Sequence, residues 1–127
     1  MRKLFLGIAF MYSLLIAFLS LSKFIIGKLP DVNNSDKLAH FVAYFVFVLI
    51  WSAYFVFTSL QLPKVIAFYS FIIAFVFGLL MEIMQFTLTS YRSFDLLDVL
   101  ANTLGGFCGA ILVVFVIKQL LKRKIIN

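Results

Sequence analysis

Four long apolar runs divide this chain: Leu4–Leu21, Leu38–Leu60, Val65–Leu88 and Val99–Ile117. Crossing the hydrocarbon core of a bilayer, about 30 Å thick, takes roughly 20 apolar residues in a helix, and each run meets or approaches that length. Composition points the same way. The chain has 127 residues, 65% hydrophobic and only 13% charged, with a mean hydropathy of +1.15. A soluble domain is about half apolar and about a quarter charged, so this chain lacks the polar residues to cover a water-soluble globule. Aqueous globular and disordered folds are excluded. The expected fold is all-α, an integral membrane bundle of four helices forming one transmembrane domain over residues 1–127. No length remains for a soluble catalytic domain.

The breaks between the runs differ chemically. Lys23–Lys37 carries Gly27, Pro30, Asp31, Asn33, Asn34 and Ser35, the composition of a turn-rich loop. Gln61-Leu62-Pro63-Lys64 is a tight link whose proline is expected to end the second helix, and Ser90–Asp98 is short and polar. Met1-Arg2-Lys3 gives the first run a signal-like start. Its core is nevertheless long for a signal peptide, and Ser20-Leu21-Ser22 is a weak cleavage site, so a retained helix is expected.

The net charge of +6 does not indicate nucleic acid, because the basic residues flank apolar runs, where they orient helices and meet anionic lipid. Arg2, Lys3, Lys64, Lys118, Lys122, Arg123 and Lys124 fall on one side, against Lys23, Lys28, Lys37 and Arg92 on the other. That bias predicts that both termini are cytoplasmic, and Trp51, Tyr54 and Tyr69 then fall near cytoplasmic helix ends as an interfacial belt. Cys108 is the only cysteine and excludes an internal disulfide.

On this topology most of the remaining polar side chains gather at the outer ends of the helices. Asp36, Lys37 and His40 open the second helix, Glu82 and Gln85 lie in the outer third of the third, Arg92 and Asp95 lie in the following loop, and Asp98 and Asn102 open the fourth. Gly78, Glu82, Gln85 and Thr89 share one helical stripe; Asp98, Asn102, Gly105 and Gly109 repeat its spacing, and Lys37, His40 and Tyr44 do so over a shorter span. A charged side chain facing lipid at mid-helix is unfavourable by about 2.5–3.5 kcal/mol on insertion scales. The stripes are therefore expected to turn inward around a small polar cavity open to the outer surface.

Glu82, roughly 10 Å below its helix end at 1.5 Å per residue, is expected to be protonated or paired with His40, Lys37 or Arg92. As an ionisable residue at membrane depth it is a candidate functional group, while a register-fixing ion pair is the structural alternative. His40 reads either as an interfacial histidine or as a proton shuttle beside Glu82. One histidine offers no helical ligand pair, so no metal and no other cofactor is expected. Asp95 suits helix capping, and Asp98 with Asn102 extends deeper than a cap requires. Arg92 reads as a neutralising partner for the acids, as a binder of an anionic group, or as a solvated loop residue. Gly78, Gly105 and Gly109 are assigned to close helix packing, and the 17 phenylalanines to lipid contact and core. No phosphate loop, nucleophile elbow, Cys-x-x-Cys or zincin pattern is present, and no catalytic residue is assigned.

The run Asp36-Lys37-Leu38-Ala39-His40-Phe41-Val42-Ala43-Tyr44, then Gly78-Leu79-Leu80-Met81-Glu82-Ile83-Met84-Gln85-Phe86, then Arg92 with Asp95 and Asp98, and finally Asn102 and Gly105 resemble the VanZ-like family over about residues 35–112. The resemblance implies a bacterial cytoplasmic-membrane protein with a bundle of about four or five helices. It also implies a link, in some relatives, to resistance against glycopeptide antibiotics, particularly teicoplanin. Lys37, His40, Tyr44, Glu82, Gln85, Arg92, Asp95, Asp98 and Asn102 carry over as its signature residues. The function expected is binding of a membrane lipid or lipid-linked envelope precursor in an outward polar cavity. Lys37 and Arg92 would meet anionic groups, Glu82 and His40 would form a protonatable pair, and Asp98 and Asn102 would orient the ligand. The rivals are an intramembrane acid/base enzyme, a small proton-linked transporter, here requiring a homo-oligomer, and a structural partner of a larger complex.

Overall fold

The computed structural model describes residues 1–22, 32–58, 62–90 and 93–126, and these form four helices: α1 (Arg2–Leu21), α2 (Val32–Thr58), α3 (Pro63–Leu88) and α4 (Leu96–Ile126). All four are long and apolar enough to cross a membrane, as the four runs predict. Two of the extensions of the helices past the apolar runs are long. The second half of the turn-rich segment is helical from Val32, which carries Asp36 and Lys37 onto α2. The basic tail continues α4 to Ile126. Cations in the last turns of a helix meet the negative end of its dipole, so Lys118, Lys122 and Arg123 favour that continuation.

Local chemistry fixes the ends. Pro63 is the first residue of α3 behind an extended Leu62, where its missing N–H would be unpaired in any case; the proline thus starts the third helix. Asp95 Oδ1 accepts the Leu97 N–H at 2.8 Å and caps α4. Within the spans, hydroxyls return to their own helix: Ser13 donates to Ala9 O, Thr87 to Ile83 O and Thr103 to Val99 O. Each such bond removes a donor that lipid could not satisfy.

The core lies between α2, α3 and α4, around Tyr44, Phe47, Val48, Ala74 and Val113, with Phe47 stacked on Phe77 at 5.1 Å. Gly105 permits the close approach of α4 to α2, because a Cβ there would run into the Phe41 carbonyl. One turn on, a Cβ at Gly109 would lie 2.9 Å from Phe45 O. Helix α1 buries only Ala9 and Ile16. It is fastened at intervals by Tyr12, which donates to Ala43 O at 3.0 Å, and by the Phe5–Phe57 stack at 4.5 Å. Trp51 packs against Phe47 and Phe55, whereas Tyr69 is exposed.

Candidate polar cavity

The N-terminal turns of α2 and α4 and the C-terminal turns of α1 and α3 meet at one end of the bundle, and the polar stripes converge there. Glu82, Gln85, Asp98 and Asn102 are buried to within 5% of full enclosure. At their centre is a cavity of about 190 Å³. Ile16, Leu19 and Met81 give it an apolar side, while Asp36, His40, Tyr44, Glu82 and Asn102 supply polar groups.

Lys37 does not stand free to meet an anionic ligand. Its ammonium bridges α2 to α4, 2.5 Å from Asp95 Oδ2 and 2.6 Å from Asp98 Oδ1. A cation in a partly dehydrated site takes the nearest carboxylates, and the cap of α4 holds two within reach. This contact, with the Leu97 N–H behind it, keeps the Asp95 carboxyl below the usual carboxylate range. Asp95 is therefore both a cap and one half of an ion pair.

His40 faces α4 as well. Its Nδ1 lies 3.0 Å from Asn102 Oδ1, and its Nε2 lies 3.7 Å from Asp98 Oδ2 and 4.0 Å from Asp36 Oδ1. A carbonyl oxygen can only accept, so the tautomer protonated on Nδ1 is the one that bonds to it. Asp36, His40 and Asp98 each turn a potential ligand atom into a space no more than 4.8 Å across. Two helices supply these atoms, so no histidine pair spaced along one helix announces them.

Glu82 Oε1 accepts the Asp95 backbone N–H at 2.7 Å, so this carboxylate ties α3 to the start of α4. The sequence offers Lys37, His40 and Arg92 as its partners. In the fold Lys37 is engaged by the two aspartates and His40 turns toward Asn102, Asp36 and Asp98, while Arg92 lies outside the described residues. Gln85 donates through Nε2 to Ser20 O at 2.8 Å and to Ser20 Oγ at 2.6 Å, closing α1 onto α3. Ser20, which reads in sequence as part of a weak cleavage site, is thus a wall of the cavity.

Tyr44 stands one turn below His40, 2% exposed, and its hydroxyl has no hydrogen-bond partner among the described residues. Gly78 makes room for that ring: a Cβ there would lie 2.9 Å from Tyr44 Cε1 and 3.4 Å from Asn102 Cβ. The third glycine of the polar stripes therefore shapes the cavity floor in addition to permitting close packing.

The family model described as VanZ/LLP1 matches residues 8–118, extending beyond the motif-bearing segment to take in most of α1. No curated protein and no solved structure matches the chain.

Proposed function

The chain belongs to the VanZ/LLP1 family, and from that premise we propose that this multi-pass membrane protein binds the head group of a membrane lipid or lipid-linked envelope precursor in its polar cavity. The observation that carries the proposal is a cavity apolar on one side and polar on the other, with Tyr44, whose buried hydroxyl has no hydrogen-bond partner among the described residues, in its wall. A buried polar group without a hydrogen bond is unfavourable by about 1–3 kcal/mol, and a ligand oxygen or amine removes that penalty. At about 190 Å³ the cavity is smaller than the roughly 300–1,000 Å³ of sites that enclose a whole drug-sized ligand. It suits part of a molecule whose remaining, apolar part stays in lipid beside α1.

The ligand chemistry follows from the charges. Lys37 is committed to Asp95 and Asp98, and Asp36, Glu82 and His40 line the cavity. Hydroxyl and ammonium groups fit such a lining directly. In this reading the protein sits in the bacterial cytoplasmic membrane with both termini cytoplasmic and the cavity facing outward, as the distribution of Lys and Arg favours. Head-group capture on that side would alter how a lipoglycopeptide such as teicoplanin reaches the envelope.

Native mass spectrometry of the purified chain tests the proposal. A retained lipid is expected, and Ala39→Trp, at an exposed position on the cavity wall, is expected to displace it. Retention unchanged by that variant would overturn the assignment, and chemical alteration of added lipid would favour the enzyme. Orientation is tested separately by a Ser90→Cys label in a Cys108→Ser background: reaction with an impermeant reagent from outside is expected, and labelling only after permeabilisation would invert the topology. In cells, Glu82→Gln and His40→Ala should remove an envelope phenotype at unchanged membrane levels. Loss of the protein itself would favour a structural role.

A further inference from the structure

His40 Nε2 faces two carboxylate oxygens, and among the described residues no lysine or arginine stands between the three atoms. In the tautomer that donates from Nδ1 to Asn102 Oδ1, Nε2 presents a lone pair to Asp36 Oδ1 and Asp98 Oδ2. Three converging acceptors repel one another unless a cation stands between them. Lys37 does not serve, because its ammonium sits on the opposite oxygen of Asp98 and on Asp95.

We propose that Asp36, His40 and Asp98 bind a divalent transition-metal ion of the zinc or manganese class at the edge of the cavity. One imidazole nitrogen with two carboxylate oxygens is a donor set such ions accept. With the ligand atoms no more than 4.8 Å apart, a point equidistant from them lies about 2.5 Å from each, a few tenths of an ångström beyond zinc bond lengths of about 2.0–2.2 Å. Asp36 and His40 come from successive turns of α2 and Asp98 from α4. Asn102 supplies the outer hydrogen bond that a metal-bound histidine ordinarily makes through its other nitrogen. Lys37 is a positioning residue, holding Asp98 Oδ1 so that Oδ2 points at His40.

A second observation points to an occupant here. Three protein ligands leave coordination positions open, and the cavity that Asp36 and His40 line is also lined by Tyr44, whose buried hydroxyl has no hydrogen-bond partner among the described residues. A water or ligand atom carried by the ion is the kind of partner that hydroxyl lacks. The metal site goes beyond head-group binding and stands whether or not a lipid is retained.

His40 is the only histidine in the chain, so histidine-selective ¹⁵N labelling reports on one imidazole. The full chain in lipid-free micelles, with Cys108→Ser to remove the thiol, is titrated with zinc chloride at neutral pH. One equivalent is expected to move Nε2 to a metal-bound position and leave Nδ1 protonated. Asp36→Asn is expected to weaken binding at least tenfold, and Asp98→Asn to do the same where it folds. An Nε2 resonance that ignores excess zinc and moves only along its protonation path would overturn the proposal and make the cation a proton. Zinc affinity unchanged in Asp36→Asn would overturn it too, by placing the ion elsewhere. Lipid-free micelles keep this outcome separate from the test of lipid retention.

Discussion

Two buried polar groupings lie about three helical turns apart along α2 and α3. At the inner one Ser52 donates to Ser70 at 2.8 Å, and Ser70 donates on to Ile66 O at 2.9 Å. Each hydroxyl proton has an acceptor, and the chain of bonds ends on a backbone carbonyl. At the cavity end Asp36, Asp95 and Asp98 face one lysine and one histidine among the described residues, and the Tyr44 hydroxyl has no hydrogen-bond partner among them. The first arrangement is complete as glue between helices, which is the usual use of serine in a bundle. The second turns two carboxylates toward one imidazole nitrogen with a space beside them, as expected of a group that completes itself with a ligand. Trp51 shows that an unpartnered atom alone is not enough. Its Nε1 also lacks a hydrogen bond, but Phe10, Phe47, Tyr54 and Phe55 surround the indole, and ring faces offer the N–H a weak acceptor.

The largest expected effect comes from breaking the cavity end at Lys37. Lys37→Met leaves Asp98, 4% exposed, without its cation. Removing one partner of a buried pair destabilises by about 3–5 kcal/mol; since the Lys37 side chain keeps 26% exposure, a loss of about 3 kcal/mol is expected, read as a fall in thermal midpoint in micelles. Adding Asp98→Asn should recover part of it. Losses that simply add in the double variant would mean the pair is not coupled. A smaller effect, about 1–3 kcal/mol, is expected from Gly105→Ala, where the added methyl meets the Phe41 backbone carbonyl. That position joins α4 to α2 one turn from the His40–Asn102 contact, so His40 resonances should shift as the helices part; unshifted resonances would show that the cavity end tolerates a wider crossing.

Acidification distinguishes the members of the cavity end. The Asp95 carboxyl is held down chiefly by its bond to Lys37. A carboxylate depressed in the folded state contributes stability above its unfolded pKa and loses it as pH falls through the lower, folded value. Carboxyl NMR should therefore place the Asp95 midpoint below the roughly 3.9 of a free aspartate, and Lys37→Met should raise it toward that figure. A midpoint at or above the free value would contradict the ion pair.

Most of the fold was legible in the sequence because bilayer thickness sets a single length that four runs satisfy. The helix ends were less legible. Lys118–Lys124 and residues 32–37 are polar, and polarity alone does not distinguish a loop from a helix that emerges into water. At the cavity, spacing placed His40, Glu82, Asp98 and Asn102 on their stripes, but it could not pair them. Whether Lys37 meets Glu82 or the two aspartates depends on how α2 is rotated against α4, and that rotation is set by Gly105 and Gly109 fitting against Phe41 and Phe45. Ser20 gave no signal, since a serine near a helix end becomes a partner for Gln85 only once α1 lies against α3.

The smallest effect tests the comparison from its satisfied side. Ser52→Ala removes a donor and leaves Ser70 still bonded to Ile66 O, so no buried proton is stranded. Hydrogen bonds between transmembrane helices average about 0.6 kcal/mol in double-mutant cycles, and a loss of that size is expected, with zinc titration and lipid retention unchanged. A loss as large as that of Lys37→Met would mean that closed and open polar groupings contribute alike to stability. The open arrangement at the cavity end would then no longer separate a ligand site from ordinary helix packing.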